Sequence, residues 1–210
     1  MSSDWRKKRE GLLRDLGRIL VKTGALEFGT FTLTSGKASS YYIDLRMIPS
    51  FPDVMKRAVE AYVEVLKRQV GLGKVDALAG IPTSGLTYAS VVAYQLLKPL
   101  VYVRKEEKSY GKSRRIEGTL SPGWNVVVLD DLATTGISVT NAVDTIRAEG
   151  GEVSHAVVLI DRKEGADKAL KEVGVKLNAF TTITELTDLL YDMELMNHDQ
   201  IEAIRKQLGQ

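Results

Sequence analysis

Between Asp4 and Val21 the apolar positions Leu12, Leu13, Leu16, Ile19 and Leu20 recur at helical spacing, which predicts an amphipathic helix closing near Gly24. Alternation with period two follows: Phe31 and Leu33, then a Ser/Gly/Lys loop, then the aromatic run Tyr41 to Leu45, a pattern that predicts a hairpin. Pro52 opens a predicted helix to about Val70, with Val54, Ala58, Ala61 and Val65 on one face. From Val75 onward, short apolar runs alternate with helical stretches. Strands are predicted at 75–81, 99–104, 125–130, 152–161 and 176–183, and helices at 85–97, 138–149 and 165–173. The C-terminal part reads as two short helices, 185–191 and 198–208. Near-continuous apolar strands separated by helices imply an α/β fold with a mostly parallel central sheet flanked by helices. In such a sheet ligands belong at the carboxyl ends of the strands. No internal repeat or low-complexity linker interrupts residues 1–210, so they read as a single domain.

Composition narrows the chemistry. The 210 residues are 44% hydrophobic, enough for one sizeable core, and contain no cysteine and two histidines, His155 and His198. Disulfides, thiolate metal sites and cysteine nucleophiles are therefore excluded, and a metal would have to be a hard cation on oxygen ligands. The charged N-terminal helix lacks a signal-peptide core, and no apolar run approaches the roughly 18 residues of a membrane span, which predicts a cytoplasmic protein with no membrane partner. A formal net charge of +2 is too mild to imply nucleic-acid binding.

The segment NVVVLDDLATTGISVT, Asn125 to Thr140, carries more polarity than a strand-to-helix turn requires. A buried strand leads into Asp130 and Asp131, Ala133 to Gly136 turn, and a helix begins near Ser138. Backbone N–H groups of such a turn converge on one concavity, where the helix dipole also favours an anion. Thr134, Thr135 and Ser138 add hydroxyl donors, and Gly136 permits close approach or a positive φ. The aspartates cannot face a phosphate. At its rim they suit the vicinal hydroxyls of an attached sugar and, through water, a divalent cation. The plainer reading, Asp131 or Thr134 as a helix cap, accounts for one polar residue of the set.

A second strand-to-helix turn, Pro82-Thr83-Ser84-Gly85, is a further candidate anion site. Segment 104–118, RKEEKSYGKSRRIEG, has nine charged residues among fifteen and reads as a mobile basic loop, a lid over an anionic substrate. Asp161, Arg162 and Lys163 end another strand, where a planar guanidinium suits a carboxylate or imide and an exposed charged turn is the bland alternative. GLGKVD (71–76) lacks the third glycine and following helix of a dinucleotide motif, and GKS (111–113) lacks the glycine of a P-loop. His155 reads as an ordinary strand residue, and Lys22 as part of a solvated helix face.

VVVLDDLATTGIS resembles the PRPP-binding signature of type I phosphoribosyltransferases. FTLTSGKASSYYID (31–44), RKEEKSYG (104–111) and DRKEG (161–165) are similar, in order and separation, to segments of the orotate phosphoribosyltransferase family, so the resemblance spans roughly Gly24 to Ile183. It implies transfer of the phosphoribosyl group of PRPP to orotate with Mg2+, and a fold in which about residues 1–50 and later elements form a small hood. It also implies a homodimer in which loop 104–118 reaches the neighbouring subunit's site. Carried over position by position, Asp130 and Asp131 hold the ribose. Leu132, Ala133, Thr134, Thr135, Gly136, Ile137 and Ser138 surround the 5′-phosphate, and Thr83 and Ser84 bind diphosphate. Arg104, Lys105, Lys108 and Tyr110 close over the diphosphate, with Lys105, Lys108 and Asp131 as the catalytic set. Thr134, Arg162 and Tyr42 contact orotate. The pattern departs from the family where Thr34 and Ser84 replace lysines, with Lys37 a nearby substitute, and where Tyr110 replaces a histidine. A phenol is a poor general acid at neutral pH, so Tyr110 is expected to position a phosphate oxygen.

Overall fold

The computed structural model describes residues 3–32, 38–104 and 115–209, which fall into two compact units, 1–57 with 181–210 and 58–180. The first unit contains helix α1 (Ser3–Lys22), the antiparallel hairpin β1 (Leu26–Thr32) and β2 (Ala38–Ile43), and the helices α6 (Ile183–Asp192) and α7 (His198–Leu208). Leu12, Leu13, Leu16 and Leu20 of α1 are all buried, as the periodicity predicts. The partly buried Arg9 guanidinium grips both carboxylate oxygens of Glu185 at 2.6 Å, which ties α1 to the start of α6. A capping box at Asn197 and Gln200 starts α7. Gln207 then joins α7 to β2 by accepting from Ser40 N at 2.7 Å.

Helix α2 (Pro52–Val65) crosses the boundary between the units. Its predicted run to Val70 changes at Leu66, where the last five residues widen into a single π-helical turn ending at Gly71, φ +88°.

The second unit is built on a six-stranded sheet in the order β5 (Ile116–Glu117), β4 (Leu100–Val103), β3 (Ala77–Gly80), β6 (Asn125–Ala133), β7 (Glu152–Asp161), β8 (Lys176–Thr182), the last two residues of β8 falling in the first unit. The pairings β4 to β3, β3 to β6 and β6 to β7 are parallel, and β5 pairs antiparallel with β4. Helices α3 (Ser84–Leu96), α4 (Ile137–Ala148) and α5 (Ala166–Glu172) make the crossovers. Val126 to Leu129 are all at most 3% exposed, which is why this strand reads as an apolar run rather than as an alternation. Val126 and Val128 pack with Val139, Val143 and Ile146 of α4.

Two expectations change. The strand predicted to end at Asp130 runs on to Ala133, because β7 continues beside it and pairs Asp130 with Val158 and Ala133 with Asp161. Segment 104–118, expected to be loop throughout, has a structured end: Ile116 is 5% exposed, packs in the core and pairs with Val103. Among the described residues no helix is long and apolar enough to cross a membrane.

Candidate active site

The chain leaves β3 toward β4 on one side and leaves β6 toward β7 on the other, so the crossovers diverge between β3 and β6. Crevices form at the carboxyl ends of strands at such a divergence. Both polar turns singled out in the sequence stand there: Pro82 to Gly85 follows β3, and Asp130 to Gly136 ends β6.

The β6 turn encloses a concavity of about 230 Å3 lined entirely by Asp130 to Val139. The cap of α4 is Gly136, at φ +85° and with no side-chain capping bond, so neither Asp131 nor Thr134 is consumed as a helix cap. A β-carbon at Gly136 would also be crowded, at 3.2 Å from Ala166 Cα. Ala166 N donates to Thr134 O at 3.1 Å and Arg162 N to Ala133 O at 2.9 Å, so the loop after β7 braces the turn. Thr135, Ile137 and Ser138 face solvent, Ile137 being 66% exposed, whereas Leu132 and Thr134 are half-buried and Ala133 is buried.

The two aspartates are half-buried within the strand end and bend its backbone onto themselves. Asp130 Oδ1 accepts from Asp131 N at 3.0 Å, and Asp131 Oδ1 accepts from Leu132 N at 2.9 Å. These are hard oxygen donors beside the turn, of the kind that suits a divalent cation such as Mg2+. Among the described residues no group of three or more acidic or histidine side chains could hold a metal by itself.

The β3 turn lies against Asp130, which Gly85 approaches closely. The Pro82–Thr83 peptide is cis, and Thr83 is the exposed, side-chain-uncapped start of α3. Ser84 Oγ is buried without a hydrogen-bond partner among the described residues, an orphan donor at a helix N-terminus where an anion satisfies it.

Arg162 is 5% exposed; its Nε donates to Glu164 Oε1 at 3.0 Å, and its Nη2 lies 2.9 Å from the same oxygen in an ion pair. Sequence reasoning placed this guanidinium at the sheet edge and missed Glu164, two residues on, which orients it. Asp161 is buried, accepts from Lys163 N at 2.8 Å and faces Lys163 Nζ at 3.6 Å, which secures the turn. Arg104 is held at the base of its loop: Nη1 donates to Glu117 Oε1 at 3.0 Å and its amide to Arg115 O at 2.8 Å. Tyr42 belongs to the first unit, where its ring lies 5.7 Å from that of Phe31 and its hydroxyl accepts from Arg46 Nη2 at 3.4 Å. Thr34, Lys37, Lys105, Lys108 and Tyr110 lie outside the described residues. His155 is a strand residue on β7, as expected, accepting from Asn178 Nδ2 at 3.2 Å, and burial followed by the nearby Lys176 and Lys74 charges lowers its pKa.

A polar strand-to-helix turn beside paired aspartates, at the switch point of an open and mostly parallel sheet, is the arrangement of a phosphoribosyltransferase core, and residues 53–189 match the family described as "Phosphoribosyl transferase domain". The orotate phosphoribosyltransferase of Cenarchaeum symbiosum is 38% identical over 194 residues, 92% of this chain and 97% of that one. The enzyme of the same name from Pyrobaculum aerophilum is 43% identical over 172 residues, 81% of this chain and 87% of that one. Among solved structures, orotate phosphoribosyltransferase from Aeropyrum pernix superposes with a TM-score of 0.76 at 37% identity, covering 87% of this chain and 99% of that one. Leishmania donovani UMP synthase superposes with a TM-score of 0.83 at 35% identity over 93% of this chain, which spans 42% of that longer protein. The chain belongs to the orotate phosphoribosyltransferase family.

Proposed function

We propose that this protein transfers the phosphoribosyl group of PRPP to orotate, forming orotidine 5′-monophosphate and diphosphate on the route to UMP, as a cytoplasmic enzyme. The observation that carries the reading is the meeting of two anion-binding turns at one strand divergence, with the buried Arg162 one strand further along. In this reading Thr134 to Ser138 hold the 5′-phosphate, Asp130 and Asp131 take the ribose hydroxyls, and Thr83 with Ser84 receives the diphosphate. The carboxylate of orotate shares the Arg162 guanidinium with Glu164, and Thr134 contacts the base.

The bond from the anomeric carbon to the diphosphate oxygen breaks as the bond to N1 of orotate forms, and the N1 proton ends on the released diphosphate. The sugar is cation-like in between, so the largest task is to stabilise the negative charge growing on diphosphate. Mg2+ carried by PRPP supplies part of that charge neutralisation. Lys105 and Lys108 supply more, while Arg104, paired with Glu117, marks where their loop begins. No covalent nucleophile is required.

A homodimer, with loop 104–118 reaching the neighbouring site, fits the outer face of α3, where Val91, Tyr94 and Leu97 are 40%, 81% and 87% exposed. Large apolar side chains grouped in this way mark an interface. The activity is tested by following orotate absorbance with PRPP and Mg2+, with adenine, guanine, hypoxanthine and uracil in parallel. Consumption of a purine in place of orotate would overturn the proposal.

A further inference from the structure

Tyr62 lies on α2, within the second unit, and is fully buried, yet its hydroxyl is committed to one atom of the candidate site: it donates to the backbone carbonyl of Asp130 at 2.7 Å. That single hydroxyl ties α2 to the β6 backbone between the two aspartates. Beyond Gly80, the last residue of β3 paired with β6, the strand has lost its β3 neighbour, and Asp130 is the first residue to project past it. A strand end that has lost one edge needs another tether if its carboxylates are to keep their direction. The ring of Tyr62 also packs 5.6 Å from that of Tyr88 on α3, the helix whose first turn carries Ser84 and Gly85. Burial, followed by the proximity of Tyr88, Asp131 and Asp130, pushes the phenol well above its ordinary pKa, so it stays a hydrogen-bond donor throughout the working range.

We propose that Tyr62 is a positioning residue for phosphoribosyl transfer, its hydroxyl orienting the Asp130–Asp131 peptide so that both carboxylates meet the ribose. The proposal rests on the assignment of the aspartates to the ribose of PRPP. A general core tyrosine would need only its ring. The directed hydroxyl bond to the carbonyl between the two carboxylates is what assigns Tyr62 to this substrate.

Tyr62→Phe keeps the ring pair and deletes the hydroxyl. Steady-state kinetics in both substrates, with thermal melts alongside, are compared for wild type, Tyr62→Phe and Asp131→Asn. The expected result for Tyr62→Phe is a PRPP KM raised about three- to tenfold, the scale of one lost hydrogen bond, with kcat and the orotate KM within about twofold of wild type. Asp131→Asn raises the PRPP KM as well. An unchanged PRPP KM in Tyr62→Phe while Asp131→Asn is impaired overturns the role of Tyr62 alone. A parallel rise in both KM values, or loss of folded protein, makes Tyr62 merely structural and also overturns it. An unchanged PRPP KM in Asp131→Asn overturns the ribose assignment, and the inference with it.

Discussion

Gly85 lies so close to Asp130 that a β-carbon on it would stand 2.6 Å from Asp130 Oδ1 and 2.8 Å from Asp130 Cα. Gly85 is absent from the positions with positive φ, so space rather than backbone conformation requires glycine here. The contact sets how near the start of α3 comes to Asp130, and therefore the separation of the two turns proposed to bind anions. Gly85→Ala would push α3 away from β6. The expected outcome is a loss of about 1–3 kcal/mol of stability from overpacking and a fall of about ten- to a hundredfold in kcat/KM for PRPP from misplacement of the turn. Thermal or denaturant unfolding and PRPP saturation curves check both.

Lys108 lies outside the described residues, and its role follows from the chemistry of diphosphate departure. A charge that acts mainly on the leaving group affects turnover more than ground-state binding. Lys108→Ala is expected to lower kcat about a hundredfold while the PRPP KM changes within about threefold. Equal effects on both constants, or intact turnover, would contradict that role.

The exposed face of α3 offers a test of assembly that leaves the cleft alone. Tyr94 is 81% exposed, and a carboxylate buried at that position in a subunit interface lacks a partner. Tyr94→Glu is expected to halve the mass measured by light scattering at micromolar concentration and to preserve the circular dichroism of the fold. An unchanged mass would place the interface elsewhere.

Glu185 gives a pH prediction in the first unit. Burial raises its pKa, but hydrogen bonds from Arg9 and Thr181, the Arg9 charge and the Thr182 backbone together outweigh burial and hold it below 4.5. The folded state therefore binds this proton less readily than the unfolded state. The associated stability is present above pH 4.5 and is lost as pH falls through the lower folded value. The Tm difference between wild type and Glu185→Gln is expected to be largest above that pH and to shrink below it. A difference that grows on acidification would reverse the sign.

The sequence shows most clearly the elements whose pattern is local. β7 and α7 begin and end where their apolar periods and flanking glycine or asparagine place them. The extension of β6 was hidden because Asp130 and Asp131 break the apolar run, and their strand geometry depends on pairing with Val158 and its neighbours, about 28 residues away along the chain. β5 was hidden for a similar reason: Ile116 is one apolar residue in a charged stretch, and Val103 makes it a strand. At the site, the polar turns were visible because they exceed what capping needs. Tyr62 and Glu164 were not, because a tyrosine on a helix and an acid in a charged turn are ordinary until their partners are known; Gly85 stood out as part of the second turn, but only its contact with Asp130 shows why it must be glycine.

The most direct measurement of the central claim is the ratio of kcat/KM for orotate to that for uracil, in wild type and in Arg162→Lys. Lysine keeps the charge beside Glu164 but loses the planar fork that matches a carboxylate. The predicted result is a wild-type enzyme that consumes orotate and leaves uracil nearly untouched, with the lysine variant narrowing that ratio by about tenfold or more while the PRPP KM holds. Wild-type transfer to uracil as readily as to orotate, or an undiminished ratio in Arg162→Lys, would contradict it.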